Sequence, residues 1–144
     1  MNTGAAKKDA SLKKISKAIF QVMVENASDG LFVYQDDAFF YTNPAFRRNL
    51  GYRFGELDGT SLKAITRPDS YEDIRDLYTK LLQGKDPPRR YDAVFVTKFG
   101  VERTISIANS VISLGTGPAI LGIARDITER KQMEEAVLSY SEFL

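Results

Sequence analysis

The sequence predicts an α+β domain, on three observations. Two short runs rich in aromatic and β-branched residues flank an Asp-Asp pair near the N-terminus, three runs beyond residue 88 follow a period of two, and the stretch between them has the spacing and breaks of helices. Five strands with a central helical insertion make a sheet-and-helix domain, and 144 residues are enough for one such core.

From Lys7 to about Asn26 the apolar residues Leu12, Ile15, Ile19 and Val22 recur at helical spacing and form one narrow stripe. The stripe suits a seam between two helices; a helix lying on its own domain's sheet fits equally well. Asp29-Gly30 is a turn, and Leu31 to Gln35 with Ala38 to Thr42 read as a hairpin around Asp36-Asp37. Asn43-Pro44 starts a helix, with Asn43 as its cap, Pro44 in the first turn, Phe46 and Leu50 on one face, and Gly51 as its stop.

Tyr52 to Thr66 is too broken for a long helix and predicts one or two short turns. Pro68-Asp69 opens the next helix, with Asp69 and Glu72 spaced as a capping box and Tyr71, Ile74, Leu77, Tyr78 and Leu81 on its apolar side; it ends near Gly84. Lys85 to Pro88 link this helix to a strand from Arg89, in which Tyr91, Ala93 and Phe95 alternate with Asp92, Val94 and Val96. After a turn at Phe99-Gly100, Arg103 to Ile112 place Ile105, Ile107 and Val111 on one face with Asn109. A turn over Gly115 to Pro118 leads into Ala119 to Arg125, where Ala119, Leu121 and Ile123 lie on one side. Beyond Arg125 the period is helical again, with Asp126 and Glu129 at capping-box spacing and Met133, Val137, Tyr140 and Leu144 in heptad rhythm. The organisation is therefore an amphipathic helix over 1–27, a core over 28–126 and a second amphipathic helix over 127–144.

Composition narrows the chemistry. The chain has no His, Cys or Trp, which excludes Ser-His-Asp and Cys-His catalysis, a structural zinc site and axial haem ligation by His or Cys. Its carboxylates are scattered, with no pair set apart by an apolar setting. A net charge of +1 provides no general field for nucleic acid, and the cluster Lys7, Lys8, Lys13, Lys14 and Lys17 falls on the polar face of a helix. No apolar run approaches the roughly 18 residues of a membrane span, and the expected compartment is the cytoplasm.

Three stretches in order resemble the PAS sensor family, over about Val24 to Lys131. Asn43-Pro44-Ala45-Phe46, followed by Leu50-Gly51-Tyr52, Glu56-Leu57 and Gly59, resembles the family's Asn-x-Ala-Phe, Gly-Tyr, Glu-Leu-x-Gly series. Arg67-Pro68-Asp69 stands where the family usually has His-Pro-Asp, so any role of that imidazole is lost. Asp126-Ile127-Thr128-Glu129-Arg130-Lys131 resembles the motif that joins the last PAS strand to the signalling helix.

The resemblance implies a five-stranded antiparallel sheet with helices on one face, flanked by N-terminal and C-terminal amphipathic helices, and a cavity able to hold a ligand. It also implies a homodimer paired through its flanking helices, here Leu12, Ile15, Ile19 and Val22, and an effector such as a histidine kinase further along the same polypeptide. Asp126 and Thr128, with Glu129 and Arg130, would then relay a signal to the exit helix; the plainer reading is a cap worth about 1 kcal/mol. Phe46, Leu50, Leu77, Leu81 and Ile107 would face a cavity or simply fill the core. Asn109, polar on an apolar strand face, requires a partner or costs about 1 to 3 kcal/mol; a ligand or a local backbone bond could supply one, and a bulge that turns it outward explains it as well.

With no His or Cys, a His- or Cys-ligated haem and a cysteinyl flavin are ruled out, leaving an unknown small molecule or none. The expected function is a sensor module without catalysis of its own. A passive docking module is the alternative, and a small cavity enzyme with a carboxylate base such as Asp92 is a third reading.

Overall fold

The computed structural model describes residues 17–143. Its first element is a helix over 17–26, α1. Leu12 and Ile15, and Leu144 at the other end, lie outside the described residues. The chain then forms a hairpin, β1 (Gly30–Gln35) and β2 (Ala38–Thr42). Asp36 and Asp37 make its two-residue turn at φ 52° and 58°, the left-handed geometry that matches the twist of paired strands and that Asp tolerates better than most side chains. A register shift after Val33 pairs Tyr34 with Phe39. Phe40, left without a place in the ladder, is exposed.

Three helical pieces cross one face of the sheet. They are α2 (Pro44–Leu50), a single 3-10 turn (Leu62–Ala64) and α3 (Pro68–Leu82). Gly51 ends α2 at φ 81°, its N–H bonding back to Arg47 and Arg48 carbonyls. The capping box expected at Asp69 and Glu72 does not form. The cap position is Arg67, which has no side-chain bond to the helix end; its guanidinium instead takes the Asp69 carboxylate at 2.7 and 2.8 Å.

The chain returns through β3 (Arg90–Val96), β4 (Glu102–Leu114) and β5 (Gly117–Asp126), and leaves by α4 (Thr128–Glu142). β4 and β5 outrun the predicted strands, because Leu114 pairs with Gly117 and only Gly115-Thr116 is left for the turn. The sheet order is β2-β1-β5-β4-β3 with every pair antiparallel.

Phe32, Tyr34, Ala93, Phe95, Ile105, Ile107, Ile120 and Ala124 point from the sheet into the core and meet Phe46, Leu50, Ile74, Tyr78 and Leu81. In β5 the inward side is thus Ile120, Gly122 and Ala124. Of the side read as apolar from the sequence, only Ala119 is buried and Ile123 is exposed. The reason is Phe32: its ring lies so close over Gly122 that a Cβ there would fall 2.2 Å from Cζ. The small residue marks the packed face. Val111 is likewise exposed, beyond the reach of the helices that cover Ile105 and Ile107.

Candidate functional site

Two joints fix how the flanking helices meet the sheet. At the entry, Asn43 is fully buried and uses its whole amide. Its Oδ1 accepts from the Leu31 N–H at 2.8 Å and the Phe46 N–H at 3.0 Å. Its Nδ2 donates to the Val24 carbonyl at 3.0 Å and the Asp29 carbonyl at 3.1 Å. One side chain therefore caps α2, joins it to β1 and holds the end of α1.

At the exit, Asp126 is the last residue of β5 and α4 begins two residues later. Its Oδ1 accepts from the Thr128 N–H at 2.9 Å and from the Thr128 hydroxyl at 2.6 Å, while Oδ2 takes the Arg103 Nε–H at 2.7 Å. The Thr128 Oγ1 in turn accepts from the Thr104 N–H at 2.8 Å, and the Ile127 N–H donates to the Thr104 carbonyl at 2.9 Å. A carboxylate, a hydroxyl and a backbone amide thus run in series from β5 through the first residue of α4 to β4. Arg130 is exposed and pairs along its own helix with Glu134 at 3.6 Å, and Glu129 is exposed. The Asp126–Glu129 capping box is absent: Ile127 occupies the cap position, and Asp126, one residue earlier, reaches Thr128.

Burial alone would raise the Asp126 pKa. The donors from Thr128 and Arg103 outweigh it and hold the carboxyl below its ordinary 3.8. A carboxyl lowered in this way stabilises the folded state above its unfolded pKa, and that contribution disappears as the pH falls through the folded value. The urea midpoint of the wild type should therefore fall, as the pH drops below the ordinary carboxylate range, with a component that Asp126→Asn lacks. Parallel pH profiles for the two proteins would show that the corner carries no such charge.

The interior between the joints is filled by rings. Phe32, Phe39 and Phe46 pack mutually at centroid distances of 5.1 to 5.6 Å, Phe95 meets Phe46 at 6.1 Å, and Tyr78 meets Tyr34 at 5.8 Å. The Tyr78 hydroxyl donates to Asn109 Oδ1 at 2.8 Å, and Asn109 Nδ2 donates to the Arg89 carbonyl at 2.9 Å. Burial pushes the Tyr78 phenol well up, which keeps it a neutral donor. Asn109 finds its partners inside the protein, and among the described residues no buried side-chain polar atom lacks one.

Outside this plug lies a cleft of about 440 Å³ between the β1–β2 turn, the 3-10 turn and α3. Tyr34 is at its base. The Tyr34 hydroxyl donates to Asp37 Oδ1 at 2.8 Å and accepts the Leu62 N–H at 3.0 Å, and Tyr71 reaches Asp37 from α3 at 3.2 Å. None of Phe46, Leu50, Leu81, Ile107 or Asn109 lines this space; Leu77 lines a smaller groove beside Pro87 and Tyr91. The first four are buried core residues.

The profile described as PAS fold matches residues 18–127. This chain belongs to the PAS family. The curated relatives of this PAS domain include the sensor histidine kinase TmoS of Ectopseudomonas mendocina, 26% identical over 125 residues that are 85% of the chain and 13% of TmoS. Another is the methyl sulfide methyltransferase-associated sensor of Methanosarcina acetivorans, 26% identical over 129 residues, 88% of the chain and 13% of that protein. The PAS domain therefore spans 13% of the length of each of these relatives. Among solved structures, the PAS domain of an HTR-like protein from Haloarcula marismortui superposes with a TM-score of 0.68 at 20% identity, covering 84% of this chain and 99% of the other.

The PAS core leaves its two flanking helices largely bare. Ile19 and Val22, two of the residues read as a pairing seam, are 54% and 59% exposed, and in α4 only Thr128 is buried. No helix among the described residues is long and apolar enough to cross a membrane. Asp92 is exposed, opposite in the strand alternation to the buried Ala93. Three features escaped the sequence reading: the full bonding of Asn43, the Arg103 partner of Asp126, and the cleft. Arg103 had a faint signal, a charge entering a strand two residues before Ile105.

Proposed function

We propose that this PAS domain is a cytoplasmic sensor module that pairs with a second copy through α1 and α4 and passes an input through the Asp126 corner to an effector in the same polypeptide. The observation that carries this reading is the contrast at the corner. The start of α4 is bonded into β4 and β5 by Asp126 and Thr128, whereas every residue from Gln132 to Phe143 is exposed. A helix held at one end and bare along its length carries a tilt of its base to whatever packs on it. Met133, Val137 and Tyr140, spaced four and three apart and each exposed by more than 60%, supply a stripe for a partner helix.

The relatives named as a sensor histidine kinase and a sensor make a kinase-type effector the natural recipient of that motion. Catalysis then belongs to the effector and not to this domain. Sedimentation equilibrium should give a dimer, and a combined Ile19→Asp and Val137→Asp variant with unchanged circular dichroism should dissociate about tenfold or more readily. A wild-type protein that stays monomeric at its highest soluble concentration sinks the pairing.

The ring-filled interior favours a second reading, a docking module with no guest in its core. A native mass spectrum of freshly purified protein separates the two, since a bound small molecule belongs only to the sensor.

A further inference from the structure

We infer that the cleft beside the β1–β2 turn binds a small zwitterion, specifically an α-amino acid with an apolar side chain. The inference rests on the sensor reading and places its input outside the aromatic core. The cleft, at about 440 Å³, lies in the ordinary range of small-molecule sites. Its lining carries both signs of charge over an apolar floor. Leu82, which is exposed, supplies apolar surface over the buried Leu62, Ile74 and Ile120; Asp36 and Asp37 stand on the hairpin turn; Lys63 comes from the 3-10 turn and Arg75 from α3.

Among the described residues Asp36, Lys63 and Arg75 form no ion pair. Asp37 is bonded by Tyr34 and Tyr71 and keeps free lone pairs for a further donor. A simple anion entering the cleft meets two carboxylates, and a simple cation meets a guanidinium and an ammonium. A molecule with a carboxylate at one end and an ammonium beside it satisfies both walls, and an apolar side chain covers the floor. The position suits an input. Asp37 shares its carboxylate with the Tyr34 hydroxyl, the Tyr34 ring packs on Tyr78, and Tyr78 bonds Asn109 of β4, the strand whose other end holds Thr104 at the exit corner.

Isothermal titration of the purified protein with L-phenylalanine, with phenethylamine, which lacks the carboxylate, and with 3-phenylpropionate, which lacks the ammonium, tests this. L-Phenylalanine should bind about tenfold or more tightly than either analogue. Arg75→Gln should remove about tenfold or more from the amino acid while leaving phenethylamine unchanged, and Asp36→Asn should leave 3-phenylpropionate no weaker. Both positions are exposed, and circular dichroism checks the fold of each variant. The proposal is overturned if neither L-phenylalanine nor L-leucine binds at about 10 mM, if a one-charge analogue binds as tightly as the amino acid, or if Arg75→Gln is without effect. Subunit pairing, read by sedimentation, stands or falls separately.

Discussion

Phe32→Ala is expected to cost about 3 to 5 kcal/mol of folding stability, the largest single loss in the core. The ring is fully buried on the central part of the sheet and touches Phe39 and Phe46 at centroid distances of 5.5 and 5.1 Å. Removing it deletes those contacts and opens a void that the surrounding strands cannot close. The partner in this packing is Gly122, where no side chain fits beneath the ring. Gly122→Ala alone should therefore cost about 1 to 3 kcal/mol by overpacking, and much less in a Phe32→Leu background, where the space is no longer claimed. Urea denaturation of the four proteins measures the coupling; strictly additive losses would show that Phe32 does not rest on Gly122.

Asn43→Ala comes next, at about 2 to 4 kcal/mol, since it strands two donors and two acceptors at a position with no access to water. Asn43→Asp divides the role. A carboxylate still accepts from the Leu31 and Phe46 amides but offers nothing to the Val24 and Asp29 carbonyls. Hydrogen exchange should show the Leu31 and Phe46 amides protected in the Asp variant and fast in the Ala variant, with α1 loosened in both. Protection of α1 identical to wild type in the Asp variant would mean that the entry helix is held by something other than this amide.

Much of this architecture was legible because local chemistry decided it. Asp36-Asp37 could only be a turn between two aromatic strands, and Asn43-Pro44 could only open a helix, so the hairpin and α2 fall where their residues place them. Elsewhere a side chain outside the expected pair took the group. Asp69 is bonded by Arg67 two residues before it, and Asp126 by Thr128 two residues after it and by Arg103 from another strand, in place of the box partners Glu72 and Glu129. The inward face of β5 was misjudged since Gly122 gives no apolar signal. Its burial depends on Phe32, 90 positions earlier.

The candidate site shows the same division. Asp126 and Thr128 stand two residues apart and could be singled out, though the Thr104 amide that completes the joint comes from another strand. The cleft could not be found by periodicity at all. It is defined by a turn, a 3-10 segment and a helix brought together across 34 positions, from Asp37 to Tyr71. Conversely, Phe46, Leu50, Leu81 and Ile107 have the composition of a guest's lining and lie buried in one cluster with Phe32, Phe39 and Phe95.

The place of β5 has a consequence for how the chain is made. The first hairpin and the β3–β4 ladder share no edge; each is joined only to β5. A ribosome that has released everything up to Leu114 therefore holds two separate half-built ladders, and the last strand to emerge is the one that rivets them. Because α4 follows directly on that strand, it emerges only after the strand that closes the sheet. Premature termination ahead of β5 then produces a chain with two unjoined ladders, exposed strand edges and no α4.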